Sequence, residues 1–147
     1  MRYEELVAQV APCGLDCGRC LDNPASPICG LSRRLKGELG GFAALAGRFA
    51  GMDPVFKEYQ AFDRLLERLG KGGCTGCRSG NCLLTSCGVK DCVRERSVDF
   101  CHECGEFPCD RTLLPAVLHE RWQRNNERMR EVGLEAFLAQ TRLKPRY

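Results

Sequence analysis

A small, mainly α-helical domain whose cysteine-rich loops are tied onto a few helices is the fold class that the sequence predicts. Three observations carry it. Twelve of the 147 residues are Cys, close to the enrichment that marks a cysteine-built scaffold. These cysteines fall in two blocks, 13–29 and 74–109, and the segments inside them, such as RSGN and GVKD, are turn-rich and too short for strands of any length. The cysteine-free stretches between and after the blocks carry apolar residues at three-and-four spacing, the period of an amphipathic helix. At this length a single domain, 1–147, is expected, with a core small enough to need help from cross-links.

The clearest helix is DPVFKEYQAFDRLLERLG. Asp53 can cap it, Pro54 fits its first turn, and Val55, Phe56, Tyr59, Phe62, Leu65, Leu66 and Leu69 mark its apolar side before Gly70 ends it. Upstream, Leu35, Leu39, Phe42, Leu45, Phe49 and Met52 trace a second stripe that reads as helix, although Gly37, Gly40, Gly41 and Gly47 each oppose it. Helices over 31–70 therefore join the two cysteine blocks. Beyond the last Cys, PAVLHERWQRNNERMREVG places Leu118, Trp122, Met129 and Val132 on one face and offers Gly133 as a stop. A shorter piece with Leu134, Phe137 and Leu138 follows, so 115–143 reads as a helical tail. No internal repeat or low-complexity tract is present.

Twelve thiols mean disulfides or metal, and the compartment decides between them. The opening MRYEELVAQVAPCG sets Glu4 and Glu5 where an export signal needs an apolar run, and no stretch is long and apolar enough to span a bilayer. A cytoplasmic chain is expected. Thiols stay reduced there, so metal ligation is the simpler reading. Three Cys-x-x-Cys pairs are present: Cys17/Cys20 in CGRC, Cys74/Cys77 in CTGC and Cys101/Cys104 in CHEC. Two intervening residues let both sulfurs of such a knuckle reach one ion.

Structural zinc takes four ligands, so twelve thiols divide into about three sites with one knuckle each. Cys13, Cys17, Cys20 and Cys29 are set apart in sequence and form one group. The other eight can divide sequentially, as Cys74, Cys77, Cys82, Cys87 against Cys92, Cys101, Cys104, Cys109, or interleave as a cross-brace. The rival is an iron–sulfur cluster serving redox or electron transfer. Cys13-x3-Cys17-x2-Cys20 has the three-cysteine spacing of radical S-adenosylmethionine enzymes, but the chain is too short for their partial barrel and lacks its strand–helix alternation. The bacterial ferredoxin run is also missing.

Catalytic signals are sparse. The chain has two histidines, His102 and His119, and no phosphate loop, paired-carboxylate motif or nucleophile elbow is recognisable. Asp16 and Glu103 lie between cysteines and read as solvated turn residues or as groups supporting the ligands. A nucleic-acid reading rests on Arg121, Arg124, Arg128 and Arg130. Glu120, Glu127 and Glu131 are interspersed, which favours a solvated, salt-bridged face. The formal charge of +3 would itself fall to about −3 with all twelve thiolates on three divalent ions. An interaction or adaptor role, with no catalytic residue, is the reading that remains.

The ordered set PCGLDCGRC, CTGC, CGVKDC and CHECGEFPC resembles the cysteine-rich family known as domain of unknown function 3795. The resemblance spans residues 13–109, and NERMREVGLEAFL is similar to the tail that follows in longer relatives. It implies a small bacterial or archaeal zinc-binding protein with no established activity. On that reading CHECGEFPC is one knuckle plus a third ligand, with Phe107-Pro108 setting the turn that follows.

Overall fold

The computed structural model describes residues 1–147. Seven α-helices make up the regular structure: α1 Tyr3–Gln9, α2 Pro27–Leu39, α3 Ala46–Ala50, α4 Tyr59–Lys71, α5 Val89–Glu95, α6 Ala116–Val132 and α7 Leu134–Arg142. There is no strand, only an isolated antiparallel bridge between Val10 and Asp16. The mainly helical class is therefore as expected. No helix is long and apolar enough to cross a membrane. The chain divides into two compact units, residues 21–73 and a second unit built from both ends, 1–20 with 74–147.

In the 21–73 unit, Ser26 accepts a hydrogen bond from the Cys29 amide and Pro27 occupies the first turn, which starts α2. The sequence stripe over 35–52 predicts one helix, but the chain breaks it. Gly40 takes φ 49°, a left-handed position that ends α2, and a short 3-10 turn, Phe42–Ala44, precedes α3. The predicted helix over 53–70 also shifts. Asp53 does cap, accepting from Val55, but Pro54–Glu58 is 3-10 and the α-helical part continues through Gly70 to Lys71.

Gly72 ends α4 at φ 60°, where a Cβ would lie 2.8 Å from the nitrogen of Pro24. Next to it, the Gly73 amide donates to the Asp22 carbonyl at 2.8 Å. Helices α2 and α4 pack together, and Lys36 spans them to Asp63 at 3.0 Å and Glu67 at 3.5 Å. Arg68 pairs with the buried Asp22 carboxylate at 2.6 Å. Phe42 forms the hub of an aromatic cluster, with ring centroids 5.0 Å from Phe49, 5.8 Å from Phe56 and 4.8 Å from Tyr59. Stacking of this kind adds about 1 kcal/mol per pair beyond the area it covers.

The other unit has two apolar cores, both leaning on α6. Trp122 is the centre of one, with Ala11, Cys13, Cys77, Cys87, Val89 and Val93 around it. Met129 joins Leu6, Val10, Phe100, Phe137 and Leu138 in the second. The predicted faces of α6 and α7 are thus the buried ones, and Gly133, at φ 81°, separates the two helices as the sequence expects. Helix α1 and helix α5 are unanticipated. Each is a seven-residue piece, under two turns and so too short for an apolar stripe to repeat, and each is held by burial of one or two residues: Leu6 in α1, Val89 and Val93 in α5.

Candidate metal centre

Eleven of the twelve cysteines lie in the unit made from the chain ends, and they gather in two groups. Cys13, Cys17, Cys20, Cys74, Cys77, Cys82 and Cys87 line one cavity of about 100 Å³. Cys92, Cys101, Cys104 and Cys109 line a smaller one beside Trp122. The second group is the sequential division of the 74–109 block. The first differs from expectation, because the N-terminal knuckle joins Cys74 to Cys87 and not Cys29.

Cys29 belongs to the 21–73 unit. There it is fully buried in the first turn of α2, its thiol donating to the Gly70 carbonyl at 2.9 Å and accepting from Arg33 at 3.3 Å. The Ser26-Pro27 start signal two residues before it was the clue that it sits in a helix and not in a loop.

Local geometry at the knuckles follows from their spacing. CGRC and CHEC are single 3-10 turns, closed by Cys20 donating to the Cys17 carbonyl at 3.2 Å and Cys104 donating to the Cys101 carbonyl at 3.1 Å. CTGC differs. Its 3-10 turn begins at its second cysteine, Cys77–Ser79, after Gly76 at φ 112°. That conformation aims the Gly76 amide at the Cys74 sulfur, 3.4 Å away. Backbone N–H groups also favour the thiolate of Cys13, from Leu15, and of Cys17, from Cys77.

Burial sets the thiol chemistry. It pushes Cys17 up to about 11, Cys77 up to about 12 and Cys101 up to about 11, with neighbouring sulfurs adding to the effect, and it raises Cys13 further still. As bare groups these thiols stay protonated at neutral pH. A cation is what would stabilise their thiolates. No three Cys, His, Asp or Glu side chains close tightly enough to hold an ion as they stand; the sulfurs line cavities. The donor chemistry nevertheless suits a thiophilic metal, and one further observation fits it. The buried indole N–H of Trp122 has no hydrogen-bond partner, and Trp122 lines the cavity of Cys92, Cys101, Cys104 and Cys109, where a thiolate would be the acceptor at hand.

Several residues that hold these loops carry no sequence signature of a site. Asn126, fully buried in α6, donates to the Pro12 and Trp122 carbonyls at 3.1 and 3.0 Å and accepts from the His102 amide at 3.1 Å. Its neighbour Asn125 donates to the Gly14 carbonyl at 3.0 Å, and a Cβ on Gly14, which has φ 79°, would collide with the Asn125 side chain. The Asn-Asn pair in mid-helix, an unfavourable choice by propensity, is the one hint the sequence held. Arg78, next to Cys77, donates to the Val7 and Val10 carbonyls at 2.7 and 2.8 Å and so closes the end of α1.

The residues between the cysteines are structural. Asp16 is buried and paired with Arg19 at 2.8 Å and Arg142 at 3.0 Å. Burial alone would raise its pKa, but the two guanidiniums outweigh it and hold the carboxyl below its ordinary value. Its contribution to stability is therefore present at neutral pH and lost as pH falls through that lowered value. Glu103 accepts from the Asp99 and Phe100 amides at 2.9 and 3.1 Å and caps the CHEC turn. His102 sits against Asn126, and His119 packs on Trp122 with Nε2 3.3 Å from the Cys109 carbonyl.

Fold and site together define a small, mainly helical protein in which two clusters of buried and half-buried thiols flank Trp122 of α6. The family described as Protein of unknown function (DUF3795) matches residues 9–113, which include all twelve cysteines, and the chain belongs to that family. No curated protein and no solved structure matches the chain.

Proposed function

We propose that this is a zinc-binding protein whose eleven gathered cysteines hold about three structural ions, supporting a role in protein interaction. The observation that carries this reading is the sorting of those cysteines into a four and a seven. Four thiolates complete one tetrahedral ion. Seven are the number for two tetrahedral ions sharing a bridging thiolate, which would bring the chain to about three ions without Cys29. Bound zinc would supply cross-links and charge neutralisation, and the amides at Cys13, Cys17 and Cys74 with the Trp122 indole would orient and stabilise the sulfurs. The interaction role is supported by the apolar side chains that the 21–73 unit leaves exposed, among them Leu31, Met52, Val55 and Leu65.

Metal analysis of anaerobically purified protein, beside its visible spectrum, tests the assignment. About three zinc ions and a colourless protein are expected; brown protein containing iron and acid-labile sulfide would overturn it. The division is tested by two substitutions. Cys104→Ser should lower the zinc content by about one ion, whereas Cys29→Ser should leave it unchanged. Loss of zinc in the Cys29 variant would return that residue to the ligand set.

A further inference from the structure

We propose that the basic cleft between α6 and the C-terminal segment binds a multiply charged phosphate ester of nucleotide size. The cleft has a volume of about 660 Å³, within the range of small-molecule sites. All of its lining lies in the unit formed by the chain ends.

Its charge is unbalanced for a reason visible in the ion pairs. Asp16 is the sole carboxylate side chain lining it, and Arg19 and Arg142 already neutralise that group. Arg128 is likewise committed, to Glu131 at 2.6 Å and to Gln140. Arg121, Arg124 and Lys144 also line the cleft, yet none of them takes part in any ion pair or side-chain hydrogen bond. Arg146 donates Nε to the Asp16 carbonyl at 3.2 Å, which leaves its terminal nitrogens. Four cations thus line one concavity with no unpaired side-chain carboxylate among them, the Arg146 guanidinium lying 4.8 Å over the Tyr147 ring. A single carboxylate would satisfy one or two of them; a di- or triphosphate has the charge and the acceptor oxygens for the set. Apolar surface from Leu15, Phe137 and Pro145 offers a place for the rest of such a ligand.

Arg121 and Arg146 also border the seven-cysteine cavity, so their charge has a second use there, facing thiolates. Arg124 and Lys144 border the cleft alone and are the residues that discriminate.

The test is equilibrium binding of ATP and of inorganic pyrophosphate to the full-length, metal-loaded chain, at two salt concentrations and with magnesium present. Saturable one-to-one binding that weakens with salt is expected. The double variant Arg124→Ala, Lys144→Ala should weaken both ligands by about tenfold or more, with zinc content and far-ultraviolet circular dichroism unchanged. Arg34→Ala, an exposed site in the other unit, should have no effect. Should the double variant fail to fold, amide shift mapping on the wild-type chain with pyrophosphate gives the same answer, with perturbations expected at Arg124 and Lys144. Absence of saturable binding to both probes, binding that survives the double variant, or binding of a single-stranded oligonucleotide alone would each overturn the proposal.

Discussion

Asn126 shows how much of this site depends on one side chain that is neither a ligand nor a hydrophobe. Its amide reaches the loop before Cys13 and its carbonyl oxygen holds the turn that starts at Cys101, so a single residue of α6 fixes loops belonging to both thiol groups. Replacing it with Ala strands the Pro12 carbonyl and the His102 amide, while the Trp122 carbonyl keeps its place in the helix ladder. Asn126→Ala should destabilise the metal-loaded protein by about 2–3 kcal/mol, read as a shift in the denaturation midpoint, and should slow or weaken zinc uptake in a competition assay. At this scale the sequence was legible for ligand candidates and poor for their supports. Cysteine announces itself by type and spacing. Asn126 and Arg78 act through backbone groups far away in the chain and Asp16 through the distant Arg142 guanidinium, and no local pattern records such partners. Cys29 is the converse case: its type suggested a ligand, while the Ser26-Pro27 cap beside it set its actual environment.

Among the elements, α4, α6 and α7 could be read because their apolar residues recur over two turns or more. The stripe from Leu35 to Met52 was equally periodic and still failed as one helix, since periodicity records which residues seek a core and not whether the backbone between them stays helical. Gly40 decided that. Two other glycines on the same unit make opposite predictions. Gly37 lies in exposed helix with nothing within 4 Å of an added Cβ, so Gly37→Ala should stabilise by roughly 0.5–1 kcal/mol. Gly72→Ala should destabilise, because the new Cβ meets the Pro24 backbone and φ 60° is strained for alanine. Thermal unfolding of the pair, followed by circular dichroism, checks both signs. Equal shifts in the same direction would show that the C-cap of α4 is not held as described.

On the scale of the whole molecule, the two units should answer differently to loss of metal. The unit carrying the thiols has one of its two cores, that around Trp122, interleaved with cysteines, and Cys13, Cys77 and Cys87 are themselves core residues. The 21–73 unit rests on α2, α4 and an aromatic cluster. A strong chelator should therefore collapse amide protection around Trp122 while leaving α2 and α4 protected. Lowering the pH should act in the same sense, since protons compete for buried thiols whose own pKa values are high; zinc release, followed with a chromogenic chelator, should steepen as pH falls from 8 towards 6. Amide protection that falls uniformly along the chain would argue against this division.

The hydrogen bond from Gly73 to Asp22 has a consequence for assembly. Cys20 and Cys74 border one cavity although a whole folded segment separates them in the chain, and a loop of that length would ordinarily resist closure. Once α2 and α4 have paired, the points where the chain leaves and rejoins the thiol-bearing unit are spaced as in a tight turn. For an ion drawing the flanking sulfurs together, the intervening segment then behaves as a few residues would, which spares roughly 2 kcal/mol of closure entropy. The segment without the gathered thiols thus becomes the jig on which they are brought together.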